Sequence, residues 1–234
     1  SQATTAFNTA YPGNYDVVFA ATNNASTTNN KLFALRSDTG ETLWAFPLAA
    51  EPPQNKNVDQ ILGQPWVDYA RNRLYVTSKS NGGGQPSLWV LNSLNGSVVT
   101  TFYLGADIST APTQSYDGDT LWVGTDNGYL YAINLVPATP TLKWAFPLSL
   151  GGSAALKGFV WEDYGTPRRL YFSTGSGSTA AVRCFQDPGV GGSPLPSSAC
   201  SGGWPNVSTG VGVVGATTVL LLDQLYVGSY DGVA

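Results

Sequence analysis

The string Trp-Ala-Phe-Pro-Leu occurs twice, at residues 44–48 and 144–148, and the copies lie 100 residues apart. A second signature recurs around them: Leu74-Tyr75-Val76-Thr77-Ser78, Leu121-Trp122-Val123-Gly124-Thr125, Leu170-Tyr171-Phe172-Ser173-Thr174 and Leu225-Tyr226-Val227-Gly228-Ser229, with a looser copy at Val17–Ala21. Successive copies are separated by 57, 47, 49 and 55 residues, so the pentapeptides stand two periods of about 50 residues apart. A chain with such a period is built from copies of one supersecondary unit that must stack to bury its apolar faces. The third repeat displays the unit. Ser109–Tyr116 alternates and ends at the turn pair Asp117-Gly118; Thr120–Thr125 is a β-rich run closed by Asp126-Asn127-Gly128, a hairpin signal because Asn and Gly tolerate positive φ. Gly128–Asn134 alternates again, and Thr141–Leu148 completes four strands. No stretch carries the 3.6-residue apolar period of an amphipathic helix.

Four short strands joined by tight turns make one antiparallel meander, and radial stacking of such sheets covers their faces and most of their edges. The expected fold is therefore all-β: a β-propeller of four-stranded antiparallel blades of about 50 residues. A β-sandwich is the alternative, although it would not require the repeat. The units fall at approximately 1–57, 58–105, 106–156 and 157–210, with a partial blade at 211–234, so that about four and a half blades are present in one propeller segment. The last unit stops after its second strand, and unfinished blades leave open edges. The expectation is a segment of a longer propeller of six to eight blades, or one completed by other chains; a closed four-blade ring with a stray hairpin is the alternative.

Composition narrows the chemistry. His is absent, which excludes a Ser-His-Asp or Cys-His nucleophile pair, an imidazole metal ligand and a histidine pH switch. Two Cys cannot supply a four-thiolate zinc site or a thiolate-held iron–sulfur cluster from this chain alone. Only 11% of residues are charged, against roughly 25% in a typical soluble domain. The net charge is −4, with Arg71/Arg73 and Arg168/Arg169 as the only close basic pairs. A nucleic-acid groove needs a basic stripe, so nucleic acid is not an expected partner. The longest mostly apolar stretch, Val211–Leu222, is too short to cross a bilayer as a helix, and no transmembrane segment is expected. The sequence starts at Ser1 and lacks Met altogether, which fits a removed leader such as a signal peptide. Cys184 and Cys200 bound a Gly-, Pro- and Ser-rich loop with little apolar content of its own. A disulfide between them would destabilise the unfolded chain by roughly 3 kcal/mol and would require an oxidising compartment; two free thiols are the alternative. Three sequons, at Asn24, Asn95 and Asn206, fall in expected loops or turns as glycosylation candidates, with unmodified loop asparagines as the alternative.

The run Ala34-Leu-Arg36-Ser-Asp-Thr39-Gly40-Glu-Thr-Leu-Trp44 resembles the pyrroloquinoline-quinone-type propeller repeat, Ala-X-Asp-X-X-Thr-Gly-X-X-X-Trp, departing from it at Arg36. The second repeat keeps Asn92 and Gly96 but places Thr100 where the Trp belongs. The third keeps Ala132, Asn134 and Trp144, with two extra residues in the turn Val136-Pro137-Ala138-Thr139-Pro140. In the fourth the motif gives way to the Cys loop. The resemblance spans nearly the whole chain. It implies that the Thr-Gly pair turns the chain between the outer strands and that Trp44 and Trp144 are blade-docking residues, each a large apolar plug with one donor; ligand stacking is the alternative role. The family includes quinoprotein dehydrogenases, which hold their quinone with calcium, acidic and amide ligands, and non-enzymatic outer-membrane assembly lipoproteins. Cys184 and Cys200 are not the adjacent cysteines that stack the quinone in many of those enzymes, and no acidic cluster matches the quinone site. No catalytic, cofactor-binding or metal residue is therefore carried over.

Other candidates have plainer readings. Asp117-Gly118-Asp119 and Asp126-Asn127-Gly128 offer oxygen ligands of the kind calcium takes, but they flank one strand at opposite ends and read as turns, as does Asp231-Gly232. Glu162 and Asp163 could be a glycosidase-type acid pair; neighbours in a strand point to opposite faces, so solvated loop acids are expected. Gly82-Gly83-Gly84 and Gly175-Ser176-Gly177 lack the strand-to-helix context of a phosphate loop. Together these features favour a non-catalytic, extracytoplasmic structural or protein-interaction module without a cofactor. The alternatives are a fragment of a quinone- and calcium-dependent dehydrogenase whose active site lies elsewhere, and a carbohydrate-binding propeller that presents exposed aromatics to glycans.

Overall fold

The computed structural model describes residues 4–6, 15–26, 29–52, 55–80, 84–150, 155–163, 165, 168–175, 181–193, 200, 207–208, 219–221 and 224–226. Among them there is no α-helix. The chain forms two compact units, Ser1–Pro112 and Thr113–Ala234. Asn206, the Asp231-Gly232 turn and residues 176–177 lie outside the described residues, as do 82–83 and most of Val211–Leu222.

In the first unit, β1 (Thr4–Ala6), β2 (Val17–Ala21), β3 (Leu32–Arg36) and β4 (Thr42–Phe46) form one sheet in chain order. β5 (Trp66–Asp68), β6 (Arg73–Thr77), β7 (Leu88–Asn92) and β8 (Val98–Phe102) form a second. Every pairing is antiparallel between sequence neighbours. The meander expected for the repeat is thus the sheet observed. Period-two alternation decides what each strand buries: Leu32, Ala34, Trp44 and Phe46 face inward, while Phe33, Leu35 and Ala45 are half-buried. β6 is buried at all five positions, which is why the second-strand signature reads as continuous rather than alternating. One apolar core joins the two sheets, with Val17, Phe19, Leu32, Trp44 and Phe46 meeting Leu74, Val76, Trp89 and Leu91.

Both outer ladders carry the same irregularity. The β3–β4 register jumps between Ala34↔Trp44 and Leu35↔Thr42, and the β7–β8 register jumps between Val90↔Thr100 and Leu91↔Val98. Such a bulge re-aims the following side chain, which here is Trp44 in the first sheet and Thr100 in the second.

In the second unit, β9 (Thr113–Gln114), β10 (Thr120–Gly124) and β11 (Tyr129–Asn134) lead to a fourth strand broken into β12 (Thr141–Leu142) and β13 (Leu148–Ser149), both paired with β11. This corrects the continuous Thr141–Leu148 strand expected from sequence. The first strand is likewise shorter than Ser109–Tyr116. The break has a physical cause: Lys143 N–H still donates to the Ala132 carbonyl of β11 (2.8 Å), but its own carbonyl accepts from Gly191 N–H (2.7 Å) and Ala145 N–H donates to the Gly192 carbonyl (3.1 Å), so beyond the Lys143 amide the backbone pairs with a loop of the next sheet. That sheet comprises β14 (Leu156–Glu162), β15 (Arg169–Thr174), β16 (Ala181–Gln186) and β17 (Val207–Ser208). Its core with the third sheet is built from Trp122, Leu130, Ala132, Trp144, Leu148, Leu156, Leu170, Phe172 and Phe185. Gly124 allows the close approach, because a Cβ there would collide with the Leu156 side chain. Cys184 and Cys200 are joined as a disulfide and pack with Tyr171 in a separate small cluster. β18 (Val219–Leu221) and β19 (Gln224–Tyr226) form a two-stranded hairpin.

Candidate functional site

Within each unit an indole from the fourth strand reaches the residue that follows the third strand of the next sheet. Trp44 Nε1 donates to the carbonyl of Ser93, immediately after β7, at 3.1 Å. Trp144 Nε1 donates to Asp187 Oδ1, immediately after β16, at 2.8 Å. The first contact also explains the motif glycine: Gly96 sits at φ +74°, and a Cβ on it would stand 2.5 Å from Trp44 Cε3. The turn glycine of one repeat is thus the seat for the tryptophan of the repeat before it.

The second contact is the centre of a charged cluster. Asp187 Oδ2 accepts from Lys143 Nζ at 2.6 Å, and Oδ1 also accepts from Gly189 N–H at 3.0 Å. Lys143 Nζ donates further to Thr120 Oγ1 at 2.8 Å and stands 5.2 Å from the centre of the Trp122 ring, a cation–π distance. The Lys143 and Asp187 side chains are 9% and 4% exposed. A buried pair is tolerable only when the remaining hydrogen-bonding capacity is satisfied as well, and Thr120, Trp144 and the Gly189 amide do that here.

Thr120, Lys143, Asp187 and Gly189 line a cavity of about 340 Å³ in the second unit, together with Asp117, Asp119, Asn134 and Arg168 and the exposed Val136 and Val190. Arg168 Nη1 bridges two carboxylates, Asp117 Oδ2 at 2.6 Å and Glu162 Oε1 at 3.1 Å. Burial would raise the Asp117 carboxyl, but hydrogen bonds from Ser115, Asp119 N–H and Arg168 outweigh it and hold the group below its ordinary value. Burial pushes the Glu162 carboxyl the other way, upward, against the opposing pull of Arg168. Both cations are engaged by carboxylates of the chain itself, and Asp187 is saturated. The cluster consequently ties the third and fourth sheets together through charge pairs made by the chain's own residues.

The other sequence candidates separate clearly. Glu162 ends β14 with its side chain 5% exposed, which corrects the expectation of a solvated loop acid. Asp163 closes the β14–β15 turn instead: Oδ1 accepts from the Gly165 and Arg169 amides, and Oδ2 from Tyr171 Oη at 3.3 Å. Asp126-Asn127-Gly128 is a hairpin turn, with Thr125 Oγ1 donating to Asn127 Oδ1 and Gly128 at φ +87°. Asp117 likewise closes its turn through Ser115 Oγ and the Asp119 amide. Asn24 and Asn95 are exposed on turns where each side chain accepts from the backbone amide two residues on. Among the described residues no three His, Cys, Asp or Glu side chains cluster to hold a metal. Cys184 and Cys200 are 16 residues apart, and Asp117 and Asp187 are tied to cations of the chain.

Sequence reasoning missed the partner of the signature tyrosine. Tyr75 Oη donates to Asp68 Oδ2 at 2.9 Å, as Tyr171 does to Asp163, and burial with the neighbouring carboxylate pushes the Tyr75 phenol upward. The legible signal was an Asp seven or eight residues before the tyrosine. In the third sheet Trp122 holds that position, and its buried Nε1 has no hydrogen-bond partner.

Four antiparallel meander sheets and a fifth hairpin among the described residues, with an indole joining successive sheets inside each unit, define a β-propeller of pyrroloquinoline-quinone-type repeats. The chain belongs to the family described as outer membrane protein assembly factor BamB, whose sequence model matches residues 2–146. Among solved structures it is similar to the computationally designed Ika8 protein, with TM-score 0.58 and 12% identity over 95% of this chain and 54% of that one. It is also similar to the quinohemoprotein alcohol dehydrogenase of Comamonas testosteroni, with TM-score 0.52 and 13% identity over 73% of this chain and 32% of that one. BamB from Moraxella catarrhalis aligns at TM-score 0.47 and 18% identity, over 74% of this chain and 43% of that one. At these identities the likeness is one of fold alone. The chain spans between about a third and about half of the length of these structures. No curated protein matches it in sequence. Among the described residues no helix is long and apolar enough to cross a membrane.

Proposed function

We propose that this chain is a non-catalytic, extracytoplasmic β-propeller segment that acts as a structural or protein-interaction module, within a longer protein or a larger surface assembly. The observation that carries this reading is the internal saturation of its charged cavity: Lys143, Asp187, Arg168 and Asp117 neutralise one another instead of facing a substrate. The disulfide between Cys184 and Cys200 supports an oxidising compartment, and a family described as an assembly factor supports a role in contacts with other proteins. The partners are other chains, or the remainder of a longer chain that completes the last blade, and Asn24 and Asn95 are accessible acceptors for glycans. Chemical cross-linking of the native material, read by mass spectrometry after glycan removal, is expected to give either a polypeptide well above 24.6 kDa or cross-links to a second protein. A lone 24.6 kDa chain without cross-links would overturn the reading, and so would dye reduction by the native protein when supplied with quinone and calcium.

A further inference from the structure

We propose that Glu162, Arg168 and Asp117 form a proton-sensitive clasp between the third and fourth sheets, in which one guanidinium is shared by two carboxylates and Glu162, with a buried oxygen that has no donor, is the group whose neutral form the closed clasp favours. The geometry carries the inference. Arg168 Nη1 is shared by Glu162 at the end of β14 and Asp117 in the β9–β10 turn, so a single guanidinium ties one sheet's hairpin to the other's. The two carboxylates are not equivalent. Asp117 has both oxygens engaged, by Ser115 Oγ, the Asp119 amide and Arg168. Glu162 has one oxygen on Arg168, while its Oε2 is buried with no hydrogen-bond partner. A buried carboxylate oxygen without a donor is costly when charged, so the proton is better placed on Glu162 than on Asp117. The charged groups facing Glu162 are Arg168 from immediately before β15, Asp117 from the β9–β10 turn and Lys143 from beyond β12. Arg168 and Lys143 favour the ionised form; burial and Asp117 oppose it and prevail.

The sign follows from linkage. A carboxyl raised above its unfolded value binds protons more tightly in the folded state. Its contribution to stability is complete below the ordinary value of 4.5 and is lost as pH rises through the folded-state value. Asp117 acts oppositely but in a lower window, because its contribution is present above 3.8 and fades only as pH falls further. Acidification from neutrality towards 4.5 therefore reports on Glu162. The test uses the full chain and combines the melting temperature against pH, for the native protein and Glu162→Gln, with a carbon-detected titration of the Glu162 carboxyl. The expected result is a native melting temperature that rises on acidification and a Glu162→Gln profile that loses this rise, melting about 2–4 °C above the native protein near pH 7. The carboxyl midpoint should lie above 4.5. A variant less stable than the native protein by a constant amount at every pH would show a plain ion pair and overturn the clasp. A Glu162 midpoint at or below 4.5 would overturn it too, and decides the matter even if Glu162→Gln fails to fold.

Discussion

The two copies of Trp-Ala-Phe-Pro-Leu are identical in sequence and different in structure. In the first, Trp44, Ala45 and Phe46 lie in β4, paired with β3, and Phe46 is fully buried against Trp89 at a ring distance of 5.3 Å. In the second, the strand is interrupted, and Phe146 is 67% exposed. Both tryptophans are buried with their N–H groups satisfied. The difference lies in the neighbouring sheet. Trp89 stands three residues before the end of β7; three residues before the end of β16 stands Arg183, whose Nε donates to Thr174 Oγ1. Phe146 has no aromatic ring to meet there. Meanwhile the loop at 189–192 supplies backbone partners for the Lys143 carbonyl and the Ala145 amide, which turns the chain out of the ladder after the Lys143 amide. Five identical residues thus specify where the indole goes, and the partner sheet decides what happens to the phenylalanine.

The two joints differ most in the groups that accept the indole N–H. Asp187→Ala leaves Lys143 buried and uncompensated and removes the acceptor of Trp144, and is expected to cost about 3–5 kcal/mol in urea denaturation. Ser93→Ala leaves the carbonyl that receives Trp44 in place and should cost no more than about 1 kcal/mol. Equal losses would show that the indole hydrogen bond is not what distinguishes the two joints. The phenylalanines give the next contrast: Phe46→Ala should lose at least about 3 kcal/mol, and Phe146→Ala should stay within about 0.5 kcal/mol of the native protein. Comparable losses at the two positions would mean that Phe146 is covered in solution. Gly96→Ala and Gly40→Ala both place a side chain at positive φ, a strain of about 1–2 kcal/mol. Only Gly96 also meets the Trp44 ring, whereas Gly40 has nothing within 4 Å, so Gly96→Ala should be the more damaging in thermal melts. The smallest effect is in acid. Because Asp117 is held below its ordinary value, its contribution should fade as pH falls below 3.8, and Asp117→Asn should abolish that part of the acid limb of a pH-dependent denaturation curve.

Much of the architecture could be read from local pattern. The Leu-Tyr-Val signature marks β6, β10 and β15, because a strand covered on both faces needs an uninterrupted run of large apolar residues, and its last copy falls at β19, where Tyr226 is exposed. The Asp126-Asn127-Gly128 turn was legible because its chemistry is local. The departures are those in which the deciding partner is distant. Glu162 looked like a solvated acid because nothing in its neighbourhood in sequence announces Asp117, 45 residues earlier, or the burial it meets at the end of β14. Asp187 lies inside the Cys184–Cys200 segment, where the repeat motif is no longer legible, yet it occupies the place where the preceding repeat's tryptophan is received.

Periodicity, turn residues and the absence of histidine follow from the order of amino acids alone, since strand alternation and tight turns are decided over a few residues and a missing side chain is missing in any fold. Those features define the repeat, its four-strand meander and the chemistry closed to it. The fate of Phe146, the Lys143–Asp187 pair and the shared guanidinium of Arg168 depend on residues tens of positions apart, brought together only when one sheet packs on the next. Burial sets their energies, because a charge or a ring is worth little in water and several kilocalories once the neighbouring sheet has displaced that water.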